Sequence, residues 1–301
     1  MSTAFIQQSM QASGTAEIIQ AVLILLVCFA LPFIILYFLP FRRNFRAGAA
    51  ALRREDYETA KLKFEKCLRS KADSFESHLN IASAEMELKQ HDEAIMHCRE
   101  ALKIAPEKYE GYMTLSFVYH KMQNYDQSLF YINEAFSREP AEPHKHILFV
   151  NRGVIWNKRK EHAKAIADYE SAIKILDNNW TAFNNIGYTL LHQGLYEESI
   201  KYFNRSIELD SERAFPFNNR GFAHSNLGNY ELAFADFRSS YNIDPTNALL
   251  YKYRGITYYN TSNFEAALKD FEKAIEKDPD LFDELNSLKL QIENSKASNN
   301  P

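Results

Sequence analysis

Three arginines stand sixteen residues ahead of three aspartates: Arg152 before Asp168, Arg220 before Asp236 and Arg254 before Asp270. A guanidinium and a carboxylate brought together form two parallel charge-assisted hydrogen bonds, so such a set is either a charged site or an internal clasp. Three spaced copies of one pair point to architecture and not to an active centre. Other groups with chemical potential are sparse. His144 and His146 flank Lys145, and His91, His97 and Cys98 lie close in sequence, but neither group completes a four-ligand metal set. Cys28, Cys67 and Cys98 form no C-x-x-C pair. No phosphate-binding glycine loop, G-x-S-x-G or H-E-x-x-H occurs. The chain therefore reads as a non-enzyme, with no cofactor and no metal implied.

The elements that carry these residues follow from periodicity. The dipeptides Arg152-Gly153, Ile186-Gly187, Arg220-Gly221 and Arg254-Gly255 recur every 34 residues, the period of a helix–turn–helix solenoid. Nine glycines and nine prolines in 301 residues are too few for a sheet-rich sandwich or barrel. The segment 248–281 shows the pattern most fully, with Tyr251, Gly255, Tyr258, Ala267, Phe271, Ala274 and Pro279. Stepping back gives Phe217, Gly221, Ala233, Phe237 and Pro245, then Phe183, Gly187, Ser199, Phe203 and Ser206, then Phe149, Gly153, Trp156, Ala165, Tyr169 and Ala172. These residues resemble the tetratricopeptide repeat family. Seven units fill 41–74, 75–108, 109–142, 146–179, 180–213, 214–247 and 248–281, with a three-residue insertion at Pro143, His144 and Lys145. Small residues at unit positions 20 and 27 let paired helices approach closely. The first two units depart from the pattern, with Asn44 and His78 in place of an aromatic and Glu85 at position 11. Leu281, Leu285, Leu288 and Ile292 predict a capping helix over 282–296, and 297–301 reads as disordered. The expected class is all-α: a right-handed superhelical solenoid.

The resemblance implies that positions 7 and 23 lie on facing helices, which makes the Arg–Asp sets structural ion pairs within single units. It also implies a concave groove lined by the first helices. Position 6 runs Arg46, Asn80, Thr114, Asn151, Asn185, Asn219 and Tyr253, and an asparagine run offers donors and acceptors to an extended peptide backbone. The expected peptide-binding residues are Asn80, Asn151, Asn184, Asn185, Tyr188, Asn218, Asn219 and Phe222, with Val150, Val154, Asn157, Lys158, His192 and Asn226 around them. The Lys/Asn set with which some family members clamp acidic chaperone C-termini is not present in three consecutive units.

Residues 18–39 carry no charge, and Gln20 is their one clearly polar side chain. At about 1.5 Å per residue such a helix spans a bilayer core of about 30 Å. Arg42, Arg43, Arg46, Arg53 and Arg54 follow it, whereas 1–17 hold only Glu17, so the positive-inside rule puts the N-terminus outside and the repeats on the cytoplasmic side. Residues 41–74 carry ten Lys/Arg against five Asp/Glu within a chain of net charge −4, a local imbalance with no whole-chain nucleic-acid footprint. The expected function is a membrane-anchored adaptor binding a protein or extended peptide. The alternative is an assembly factor or subunit of a membrane complex, contacting partners through the membrane helix and first repeat.

Overall fold

The computed structural model describes residues 39–69 and 74–298, the side chains of Leu39 and 295–298 excepted. The expected outer tail and, but for Leu39, the expected membrane span lie outside the described residues, as do 299–301. No helix among the described residues is long and apolar enough to cross a membrane.

The described chain is helical in pairs and divides into two compact units that meet at Glu139 and Pro140. The first holds α1 (Leu39–Leu52), α2 (Tyr57–Arg69), α3 (Ser74–Glu87), α4 (His91–Ile104), α5 (Tyr109–Lys121) and α6 (Tyr125–Ser137). The second holds α7 (Glu142–Lys158), α8 (His162–Ile175), α9 (Trp180–His192), α10 (Tyr196–Leu209), α11 (Ala214–Asn226), α12 (Tyr230–Ile243), α13 (Ala248–Asn260), α14 (Phe264–Lys277) and α15 (Phe282–Ser298).

The 34-residue register explains both the turns and the core. Each pair turns through one residue with positive φ at the same register position: Glu55, Lys89, Gln123, Lys160, Gly194, Gly228 and Ser262. Only two of the seven are glycine, so tertiary packing holds the other five in a conformation that side chains disfavour. The small residues at position 20 (Ala60, Ala94, Ser128, Ala165, Ser199, Ala233 and Ala267) are all completely buried. So are those at position 27, from Cys67 to Ala274. Phe64, Phe203, Phe237 and Phe271 are fully enclosed at position 24 and Tyr169 almost so.

Two local outcomes differ from the expected pattern. Pro143, His144 and Lys145 do not bulge out; they lengthen α7 to 17 residues. Proline in the first helical turn gives up an N–H that has no intrahelical partner there, which makes this extension easy. At the other end α15 continues through Ser298, so Ala297 and Ser298 are helical where disorder was expected. Its Leu285 and Ile292 are buried against Tyr251, Phe271 and Ala274, closing the last repeat.

The first repeats find substitutes for their missing aromatics. Phe45, next to Asn44, meets Phe64 edge to face with centroids 5.4 Å apart. In the second repeat the gap holds a polar cluster instead. Glu85, 1% exposed, takes Lys61 Nζ at 2.9 Å, and the His78 and His97 Nδ1 atoms stand 2.8 Å apart. Burial holds both imidazoles below their ordinary pKa, with His97 adding to the effect on His78 and Lys61 to that on His97. The fold thus favours neutral rings: this stability is present above the ordinary value of about 6.5 and is lost as pH falls through the lowered ones. His97→Tyr, which copies Tyr131 one repeat on, should flatten the fall in melting temperature between pH 7.5 and 5. An unchanged slope would remove the pair from the account.

Candidate peptide-binding groove

All three Arg–Asp sets form bidentate clasps between the two helices of their own repeat. Arg152 Nε and Nη2 donate to Asp168 Oδ2 and Oδ1, both at 2.8 Å. The corresponding distances are 2.9 and 2.7 Å for Arg220–Asp236 and 2.7 and 2.9 Å for Arg254–Asp270. The bond to Asp270 raises the Arg254 pKa. Each guanidinium also lies over the aromatic ring three residues before it: Phe149, Phe217 and Tyr251. These residues fasten helices together and leave little of their hydrogen-bonding capacity for a ligand.

The second unit contains an open cavity of about 800 Å³. The first helices of its repeats build it: Val154, Asn157 and Lys158 from α7, Thr181, Asn184, Asn185, Tyr188 and His192 from α9, Phe215 and Asn219 from α11, and Leu249 from α13. Lys160 and His162 come from the α7–α8 turn and the start of α8, and Trp180 closes one side.

A chain of amides crosses this cavity. Asn219 Nδ2 donates to Asn184 Oδ1 at 3.1 Å, and Asn184 Nδ2 donates to Asn185 Oδ1 at 3.3 Å. The relay orients all three side chains and leaves Asn185 Nδ2 as a donor and Asn219 Oδ1 as an acceptor with no partner among the described residues. A peptide bond presents the complementary pair. The walls are aromatic and aliphatic, and Tyr188 packs edge-on against His192 with centroids 4.3 Å apart. Burial raises the Tyr188 pKa, with a smaller push from Glu284. Burial lowers that of His192, reinforced by Lys252, His162 and Lys158. His192 is accordingly a neutral donor or acceptor near pH 7.

The structure separates the sequence-derived groove residues into three groups. Asn184, Asn185, Tyr188 and Asn219 come together in the cavity with Asn157, Lys158 and His192. Asn80 is apart from them: it belongs to the first unit, where its amide donates to the Glu76 carbonyl at 2.7 Å. The remaining residues are turned inward. Asn218, expected on the groove, is 0% exposed, and both its amide atoms lack a hydrogen-bond partner among the described residues. Phe222 is committed to a parallel stack on Tyr253 with centroids 4.1 Å apart, and Asn151 Nδ2 is buried with no partner among the described residues. Asn218 and Phe222 both lie on α11, which packs directly on α13. Thr181, Phe215 and Leu249 were missed, although all occupy position 2 of their repeats and that recurrence was there to be used. Arg42, Arg43, Arg46, Arg53 and Arg54 are all exposed on α1 and the turn after it. No group of three or more His, Cys, Asp and Glu able to hold a metal exists among the described residues.

Family models of the tetratricopeptide repeat match residues 45–108, 109–142, 180–212, 217–247 and 248–281. Among solved structures, a tetratricopeptide repeat protein from Parabacteroides merdae is 17% identical, with a TM-score of 0.65 over 83% of this chain and 99% of that one. The APC/C hetero-tetramer Cut9–Hcn1 gives 12% identity and a TM-score of 0.66 over 81% of this chain and 48% of that one. PilW, a type IV pilus biogenesis factor, gives 20% and 0.59 over 70% and 97%. At these identities the likeness is one of fold. No curated protein matches the chain.

Proposed function

Because the chain belongs to the tetratricopeptide repeat family, we propose that it is a non-catalytic scaffold whose second unit holds an extended segment of a protein partner along α7, α9, α11 and α13. The amide relay from Asn219 through Asn184 to Asn185 carries this reading, since it presents an oriented donor and acceptor inside a cavity with apolar walls. Backbone pairing would give affinity, and Trp180, Phe215 and Leu249 would select side chains. A photo-crosslinking amino acid at Thr181, followed by mass spectrometry from intact cells, should trap a discrete partner. The added change Asn185→Ala, at a half-buried side chain, should cut that yield at least tenfold in protein whose thermal melt remains a single cooperative transition. Undiminished crosslinking would overturn the groove reading.

The same proposal has residues 18–39 anchor the scaffold in a membrane, N-terminus outside and repeats on the cytoplasmic side. Its support is the uncharged 18–39 stretch and the five exposed arginines that follow. Cleavage of the repeats by protease added outside sealed cells would refute that topology. The arginines also favour a second reading, in which the membrane helix and first repeat bind subunits of a membrane complex and the groove is idle. Replacing 18–39 with an unrelated membrane helix decides between them, because the second reading loses its partner and the first does not.

A further inference from the structure

The groove of the second unit changes character along its length. Where the first helices begin, its lining is Trp180, Thr181, Phe215 and Leu249, with no charged side chain. The loops leading into α9, α11 and α13 hold Asp177, Asp210, Glu212 and Asp244 against one cation, Arg213. That arginine lies over the Trp180 ring and is held by Asp210 at 2.8 Å. At the opposite end the lining includes Lys158, Lys160, His162 and His192 and no Asp or Glu.

The two ammonium groups at that end are uncommitted. Lys158 and Lys160 are exposed and make no ion pair among the described residues. Neighbouring charges are already matched: Glu161 with Arg159 at 3.0 Å and with Lys164 at 2.5 Å, and Lys252 with Glu284 at 2.6 Å. Glu197, Glu198, Glu231 and Glu265, in the first turns of α10, α12 and α14, lie outside the lining. The C-terminal ends of α7 and α9 add about half a negative charge each, so two full positive charges leave this end positive. Along α9, Thr181 and His192 are eleven residues apart, about 16 Å of helix, which an extended chain covers in about five residues. We propose that the groove takes segments with an apolar side chain for Trp180, Phe215 and Leu249 and an Asp or Glu about five residues away for Lys158 and Lys160. This rests on the groove reading above and adds which side chains the segment carries and how they are spaced. Because the cavity is open, the chain runs on past the lysines, and the anion is a side chain and not a chain terminus.

The test selects random peptides, displayed between neutral Gly/Ser flanks, on the purified full chain. Enriched sequences should pair a large apolar residue with Asp or Glu about five positions away. For a synthetic copy of one of them, K158A/K160A should weaken binding about three- to tenfold, the reach of two exposed ion pairs, and high salt should erase that difference. Selection on K158E/K160E should replace the acid with Lys or Arg. Both variants should melt as the parent does, because these side chains are exposed. Enrichment that needs Asn185 but shows no acid and ignores both lysine variants overturns this proposal and leaves the groove reading standing. Enrichment indifferent to Asn185→Ala, or no enrichment at all, overturns both. Binding that appears only when the peptide ends in a free carboxylate also overturns the proposal, by making the anion a C-terminus.

Discussion

Asp236→Ala should lower stability by about 3 kcal/mol, the low end of the range found when one partner of a largely buried ion pair is removed. The Asp236 side chain is 9% exposed and takes both Arg220 donors at 2.9 and 2.7 Å. Without it the guanidinium remains against Phe217 with only Asn204 Oδ1, at 2.6 Å, as an acceptor. The double change Arg220→Leu with Asp236→Tyr removes the charge altogether and approaches Ile186 and Tyr202, the pair at the same register in the preceding repeat. It should cost much less, on the order of 1 kcal/mol, because an apolar pair of adequate fit replaces the clasp without stranding a charge. Thermal and urea melts of both variants measure this, and equal losses would show that the ion pair is not a coupled unit.

The second large effect concerns a ring that needs a glycine. Phe203 is completely buried against Leu191 of its own repeat and Ala223 of the next. Phe203→Ala should cost about 3–5 kcal/mol in lost transfer energy and residual cavity. Gly187 faces the same ring so closely that a Cβ there would stand 2.7 Å from Phe203 Cε1. Gly187→Ala should therefore cost about 1–3 kcal/mol by overpacking. In the Phe203→Ala background the added methyl enters the space the ring has left, and its cost should vanish or change sign. A double-mutant cycle in urea reads this coupling directly. Additive losses would mean that ring and glycine are held by different neighbours.

How far the sequence could be read is clearest where two residues share a repeat. Gly187 and Phe203, or Arg220 and Asp236, sit sixteen apart on the two helices of one pair, and that spacing recurs at period 34. Contacts of this kind repeat with the chain, so a register identifies them. The polar cluster of Glu85, Lys61, His78 and His97 was not legible in this way. It is a local replacement for missing aromatics, made once between the first repeat and the second, so no recurrence announces it.

The groove shows the boundary most sharply. Asn184 and Asn218 hold the same register position, yet Asn184 lines the cavity and bonds to Asn219, whereas Asn218 is fully buried with no side-chain partner among the described residues. By itself the sequence determined the family, the helix pairing, the small and aromatic core positions and the Arg–Asp clasps, because each depends on contacts within a repeat or between neighbouring ones. Which asparagines a ligand can reach was decided only by the tertiary structure. Reachability depends on how closely the first helices of successive repeats approach in front of a given side chain, and that distance is set by the packing of particular residues such as Phe222 on Tyr253, which no shared period encodes.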